Sequence, residues 1–146
     1  MTRDLLSFLK DHRDPDGFIH DIFDLDSFCD VSDKSGVYII VSQGQKFVYP
    51  NGESRVIYVG MSSCLSSRLR QHHRLALEIR NLKKADRKND WYYSRYQYIS
   101  SYGAKIYYFT TRGLQNPKNM EEKIIGRFYD RYLSLPVGNG AFSFSH

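Results

Sequence analysis

Tyr38, Tyr58, Arg68, His72 and Glu121 are the residues whose types could act together on a phosphate ester. Cutting a phosphodiester needs an activated water, neutralisation of the charge that builds on the phosphoryl oxygens, and stabilisation of the departing oxyanion. A hard divalent cation on a carboxylate, an arginine and a proton acceptor would suffice. Glu121 is the candidate carboxylate: at about 100° per helical residue it shares a face with Ile124, Ile125, Phe128 and Tyr132, where an unpaired charge is costly to bury. A metal ion relieves that cost, and the competing reading is an acid at the rim of the core paired with an arginine such as Arg68. Glu122 points about a quarter-turn away and, with Asn119 as N-cap, is expected to serve as a capping-box acid. Arg68 flanks the apolar stripe of an earlier helix, from which a guanidinium can grip a phosphate in the bidentate manner. His72 follows one turn later on the same side, as a site residue or as a hydrogen-bonded core histidine. A phenol serves as a base only beside cations that favour the phenolate. For Tyr38 those would be Arg68 and the metal, and the structural alternative for either tyrosine is a ring on a sheet face with its hydroxyl satisfied by backbone.

The elements that must position these groups follow from the hydrophobic pattern. Gly36 to Val41 and Arg55 to Gly60 are rich in β-branched and aromatic residues and are expected to be strands. Turn signals at Gln43-Gly44 and Pro50-Asn51-Gly52 make the segment between them an elaborated hairpin connection. From Leu65 the period becomes helical: Leu65, Leu69, His72, Ala76 and Ile79 share one face, with Arg70, Arg74 and Glu78 opposite. An aromatic tract from Trp91 to Tyr102 precedes a third strand, Ala104 to Thr111, and a final helix starts after Pro117 and reaches about Tyr132. Residues 1–33, with Leu5, Leu6 and Leu9 at helical spacing, are expected to form a helical cap on a core spanning 34–146, all within one domain. The fold class is α+β, a small antiparallel sheet of three core strands flanked by helices.

Bulk composition bounds the partners. The 146 residues suffice for one compact domain with a real core. Lys and Arg number 21 against 16 Asp and Glu, a formal charge of +5 that favours a polyanionic partner through counterion release. Two cysteines, Cys29 and Cys64, are too few for a disulfide framework and read as free thiols in a reducing cytoplasm. The opening residues have scattered charges, unlike a signal peptide, and no stretch approaches the roughly 18 apolar residues of a membrane helix, so a cytoplasmic location is expected. Phosphate-loop, dinucleotide-fingerprint and HExxH signatures do not occur, which removes nucleotide hydrolases, Rossmann enzymes and zinc proteases.

The tripeptides Gly36-Val37-Tyr38 and Tyr58-Val59-Gly60 resemble the two signatures of the GIY-YIG nuclease superfamily. Three further matches occur in the family's order: Arg68 lies eight residues after Gly60 with His72 a turn later, Glu121 opens an E-x-x-I-I helix, and Asn139 closes a P-x-x-N pattern. The matches run from residue 36 to residue 139. The resemblance implies a metal-dependent endonuclease acting on DNA, with RNA as the less favoured substrate. In it Glu121 holds one Mg²⁺ or Mn²⁺, one tyrosine, taken here as Tyr38, is the general base, Tyr58 orients water or phosphate, and Arg68 clamps the phosphate. Two departures stand out: the connection between the tripeptides is longer than usual, and Met61 occupies the position after Gly60 where the family commonly has lysine. His72, His73 or a nearby arginine would have to replace that lysine. Met61 also makes a catalytically weak or inactive nucleic-acid-binding module the rival expectation. Nucleic acid would be gripped by Arg70, His73, Lys83, Lys84, Arg95 and Asn139, with Asn139 alternatively a turn residue or a tie to the sheet. The chain would act as a monomer or homodimer, with a separate specificity partner as an option.

Overall fold

The structure, a computed structural model, describes residues 6–9, 14–81 and 94–139. Leu5, Lys83, Lys84, Arg87, Lys88, the rings of Trp91, Tyr92 and Tyr93, and Gly140 lie outside them. Six strands are described: β1 (Gly17–Ile19), β2 (Gly36–Ser42), β3 (Phe47–Tyr49), β4 (Gly52–Ser54), β5 (Val56–Ser62) and β6 (Ala104–Thr110). Three α-helices accompany them: α1 (Leu65–Asn81), α2 (Ser94–Tyr102) and α3 (Pro117–Tyr132). The α+β class holds, and the sheet has four antiparallel strands in the order β1-β6-β2-β5.

The fourth strand comes from the segment expected to be a helical cap. Gly17, Phe18 and Ile19 pair with Tyr108, Tyr107 and Ile106, so this stretch extends the sheet. The other described regular pieces of the segment are short 3-10 turns at Ser7–Leu9 and Leu25–Phe28, the second capped by Asp24, whose carboxylate accepts from the Asp26 amide at 3.1 Å. Three residues are too short to show an alternating pattern, and β1 exists because β6 offers it a ladder. The long connection between β2 and β5 folds into its own hairpin, β3 with β4, and Asn51 ties it to the end of α3 by donating from Nδ2 to the Arg131 carbonyl at 2.9 Å.

Every residue of β2 is buried, because helices cover both faces of the sheet. Val37, Ile39 and Val41 pack with Phe8, Ile124, Ile125, Phe128 and Tyr132, which places α3 and the first 3-10 turn on one side. Tyr38 and Ile40 pack with Leu65, Leu69, Ala76, Ile79, Tyr96 and Ile99, which places α1 and α2 on the other. The period of two along a strand makes this division: adjacent residues of β2 serve different helices. All five apolar-face positions expected for α1 are buried, His72 among them.

The helix carrying Glu121 starts earlier than the Asn119 cap supposed. Asn116 is the N-cap, its Oδ1 accepting from the amides of Lys118 at 2.8 Å and Asn119 at 3.4 Å, and Pro117 fills the first turn. Proline is suited there because its missing N–H would have had no helical partner. Glu122 is therefore well past the first turn, and the capping-box role does not apply. Cys29 and Cys64 are free thiols. Among the described residues, no helix is long and apolar enough to cross a membrane.

Candidate active site

The two tripeptides face each other across the β2–β5 ladder, with Tyr38 opposite Gly60 and Ile40 opposite Tyr58. This register gives the glycines a steric reason. A Cβ on Gly60 would sit 2.5 Å from Cζ and Oη of Tyr38 and 2.7 Å from the Tyr58 ring, so the glycine of the second tripeptide makes the seat for the phenol of the first. A Cβ on Gly36 would lie 2.2 Å from the Phe109 carbonyl oxygen and 2.9 Å from Leu65, closing off the approach of β6 and α1.

Seated in this way, Tyr38 points under α1. Its Oη lies 2.6 Å from His72 Nε2 and accepts from Arg68 Nε at 3.3 Å. On the far side of the imidazole, Nδ1 lies 2.8 Å from the hydroxyl of Tyr96, supplied by α2. Tyr38 and His72 are both 0% exposed. The Tyr58 ring centroid is 6.1 Å from that of Tyr38 and 5.9 Å from that of His72. Tyr58 is only half-buried, and the Arg95 guanidinium carbon stands 4.0 Å over its ring, a cation–π contact worth about 0.5–2 kcal/mol. Arg68 is half-buried and donates from Nη1 to Gln71 Oε1 at 2.5 Å.

Burial sets the electrostatics of this cluster. It drives the Tyr38 phenol far above its ordinary range, with Tyr58 adding to the effect and Arg68 opposing it. It lowers the His72 pKa well below the usual value, with Arg68 and then Arg95 acting in the same direction, so the imidazole is neutral at pH 7. For Arg68, burial works against the charge, but the phenols of Tyr38, Tyr96 and Tyr58 outweigh it and hold its pKa above the ordinary value.

The predicted site residues divide accordingly. Tyr38, Tyr58, Arg68 and His72 come together, and Arg95, assigned from sequence to the nucleic-acid grip, stands among them on Tyr58. Glu121 does not join them through any described contact. It is half-buried on α3, whose apolar stripe packs on the opposite face of the sheet. Burial and then Glu122 raise its pKa, against a smaller opposing effect of Lys118. Tyr38 and Tyr58 belong to the face that α1 and α2 cover, whereas the apolar stripe of α3 packs on the other.

Three of the residues assigned to nucleic acid are engaged elsewhere. His73 is buried, its Nδ1 2.7 Å from the Ile22 carbonyl and its ring 5.3 Å from Phe28, so it packs the N-terminal segment onto α1. Arg70 is exposed and donates to the Phe28 carbonyl at 3.1 Å. Asn139 is buried, accepting from the Val59 amide and donating to the Val59 carbonyl, each at 2.9 Å. It is the tie to the sheet and not a surface contact. Sequence reasoning missed Tyr96 and Gln71 as members of the cluster. The available signal was the spacing of Tyr96 and Ile99, which share a helical face, but the surrounding aromatics hid it.

Whether the residues suit a divalent cation can be judged from Glu121. A half-buried carboxyl whose charge is opposed by burial and by an acidic neighbour gains from a cation, and Mg²⁺ is commonly held by one or two carboxylates with water and phosphate oxygens completing its shell. No group of three or more His, Cys, Asp or Glu suited to a metal occurs among the described residues. The donor chemistry of Glu121, a single carboxylate, suits a hard ion. Compared with family models, with curated proteins and with solved structures, the chain matches none.

Proposed function

We propose that this protein is a metal-assisted endonuclease of the GIY-YIG kind, hydrolysing phosphodiester bonds in DNA. The observation that carries the reading is the convergence of Tyr38, Tyr58, Arg68 and His72 on one face of the sheet, with the tripeptide glycine at 60 making the room that Tyr38 occupies. Arg68 binds the scissile phosphate: its Nε and one Nη1 hydrogen are held by Tyr38 and Gln71, which leaves the rest of the fork for phosphate oxygens. Arg95 adds a second positive charge beside Tyr58. Tyr58 is the phenol that meets the attacking water, because it keeps exposed surface where Tyr38 has none. Tyr38 and His72 then stand behind Arg68 and hold it. Glu121 would hold the Mg²⁺ or Mn²⁺, which when bound supplies a more acidic water and neutralises phosphoryl charge.

Incubation with plasmid DNA and either metal tests this. Nicking is expected, with Arg68→Ala and Glu121→Ala each losing on the order of 100-fold or more in rate, the usual loss when a transition-state charge contact is removed. Wild-type protein that leaves duplex, branched and single-stranded DNA and RNA intact with every divalent metal refutes the activity. One observation favours a second reading, a nucleic-acid-binding module without turnover: α3, the helix that carries Glu121, packs its apolar stripe on one face of the sheet and the phenol cluster lies on the other. Salt-dependent binding with no cleavage supports that alternative.

A further inference from the structure

The hydrogen bonds around His72 have a direction that the positions of the heavy atoms determine. Arg68 Nε can only donate, so Tyr38 Oη accepts from it. The Tyr38 hydroxyl is wholly buried, and among its described partners the one able to take its hydrogen is His72 Nε2, at 2.6 Å. That nitrogen must then carry the lone pair. A neutral imidazole has one N–H, which is left on Nδ1 and is donated to the Tyr96 hydroxyl at 2.8 Å.

We infer that Tyr96 is a positioning residue, which fixes His72 in the Nδ1–H tautomer and so sets a one-way chain of donors, Arg68 to Tyr38 to His72 to Tyr96, whose output is the orientation of the Arg68 guanidinium. Two helices on the same side of the sheet are wired together by it: α1 supplies Arg68 and His72, β2 supplies Tyr38 between those two, and α2 supplies Tyr96. Without the Tyr96 oxygen, Nδ1–H would be a buried donor lacking that acceptor, so the Nδ1–H form loses the bond that favours it and the two tautomers, each then with one unmatched donor, become close in energy. The reversed tautomer makes both Arg68 and His72 donors toward Tyr38, and the phenol hydrogen loses its acceptor. The grip of Tyr38 on Arg68 weakens as a result. Only the effect at the phosphate rests on the endonuclease reading; the wiring does not.

Long-range ¹H–¹⁵N correlation spectra of the labelled full chain at pH 7 read the tautomer directly, with the His72 signals assigned by their loss in His72→Gln. In wild-type protein Nε2 is expected to show an unprotonated-nitrogen shift and Nδ1 a protonated one. In Tyr96→Phe a population with the hydrogen on Nε2 should appear, and hydrogen exchange at Arg68 Nε should quicken severalfold as its bond to Tyr38 loosens. For cleavage, Tyr96→Phe should lower kcat about tenfold with KM within about twofold. A wild-type spectrum with the hydrogen on Nε2 overturns the inference, as does a Tyr96→Phe protein with unchanged tautomer and unchanged Arg68 exchange. If Tyr96→Phe fails to fold, the same two readings are taken on Tyr96→Met. A correct tautomer in a protein that cuts nothing upholds the wiring and refutes the nuclease.

Discussion

A buried imidazole held neutral has a consequence for pH. Because the folded protein lowers the His72 pKa below the value of about 6.5 that an unfolded chain restores, the unfolded state binds more protons in the interval between the two. Stability is therefore complete above that interval and is lost as pH falls through it, by at most about 1.4 kcal/mol per pH unit from this one group. Urea midpoints measured at pH 7.5 and pH 5.5 should show the loss, and His72→Gln should remove much of it. Glu121 has the opposite sign. Its folded pKa is raised, so the folded state holds the proton more tightly, and this contribution fades as pH rises past the carboxylate range. At neutral pH without metal, Glu121→Gln is expected to melt at a higher temperature than wild type. Millimolar Mg²⁺ should raise the melting temperature of wild type and leave Glu121→Gln unmoved; equal responses of the two proteins would exclude Glu121 as the ligand.

Among the elements, the β2–β5 ladder carries the most demanding fit. Gly60→Ala would press a methyl against the Tyr38 phenol and the Tyr58 ring, and neither can withdraw without breaking a buried contact. The expected cost is about 1–3 kcal/mol, read from denaturant unfolding, together with loss of the His72–Tyr38 bond. The long, periodic elements were legible in the sequence: β2, β5, β6, α1 and α3 each carry enough repeats for the pattern to speak. The strand β1 was not, since three residues gain strand identity only from β6, which lies far along the chain. The α2 helix was read only as an aromatic tract, because rings are at home in strands as well as helices. At the site, spacing along α1 placed Arg68 and His72 on one side correctly. It could not say which face of the sheet the apolar stripe of α3 would take, and that face is the one opposite the phenols.

Taken whole, the molecule is a sheet clad on both sides, with a formal charge of +5. If nucleic acid is the partner, its affinity must fall steeply with salt. Each phosphate neutralised contributes a slope of about −0.9 in log K against log salt for duplex DNA. Arg68→Ala and Arg95→Ala should each flatten that slope by about one, measured by fluorescence anisotropy in metal-free buffer to prevent cutting, while Arg70→Ala, already occupied with Phe28, should change it little. A slope unaffected by either Arg68 or Arg95 would move the nucleic-acid surface away from this cluster.

The clamp of Asn139 on Val59 also bears on how the protein behaves in a crowd of its own copies. β5 is the outermost strand of its side, and an unprotected outer strand is a template on which a neighbouring molecule can add its own backbone. Here the amide and carbonyl of Val59 are occupied by Asn139, and the carbonyl of Ile57 accepts from the Gly138 amide at 2.6 Å, so the chain's own C-terminal segment takes the place an intruder would need. Asn139→Ala should therefore do more than loosen a loop: sedimentation should reveal concentration-dependent self-association beyond that of the wild-type protein.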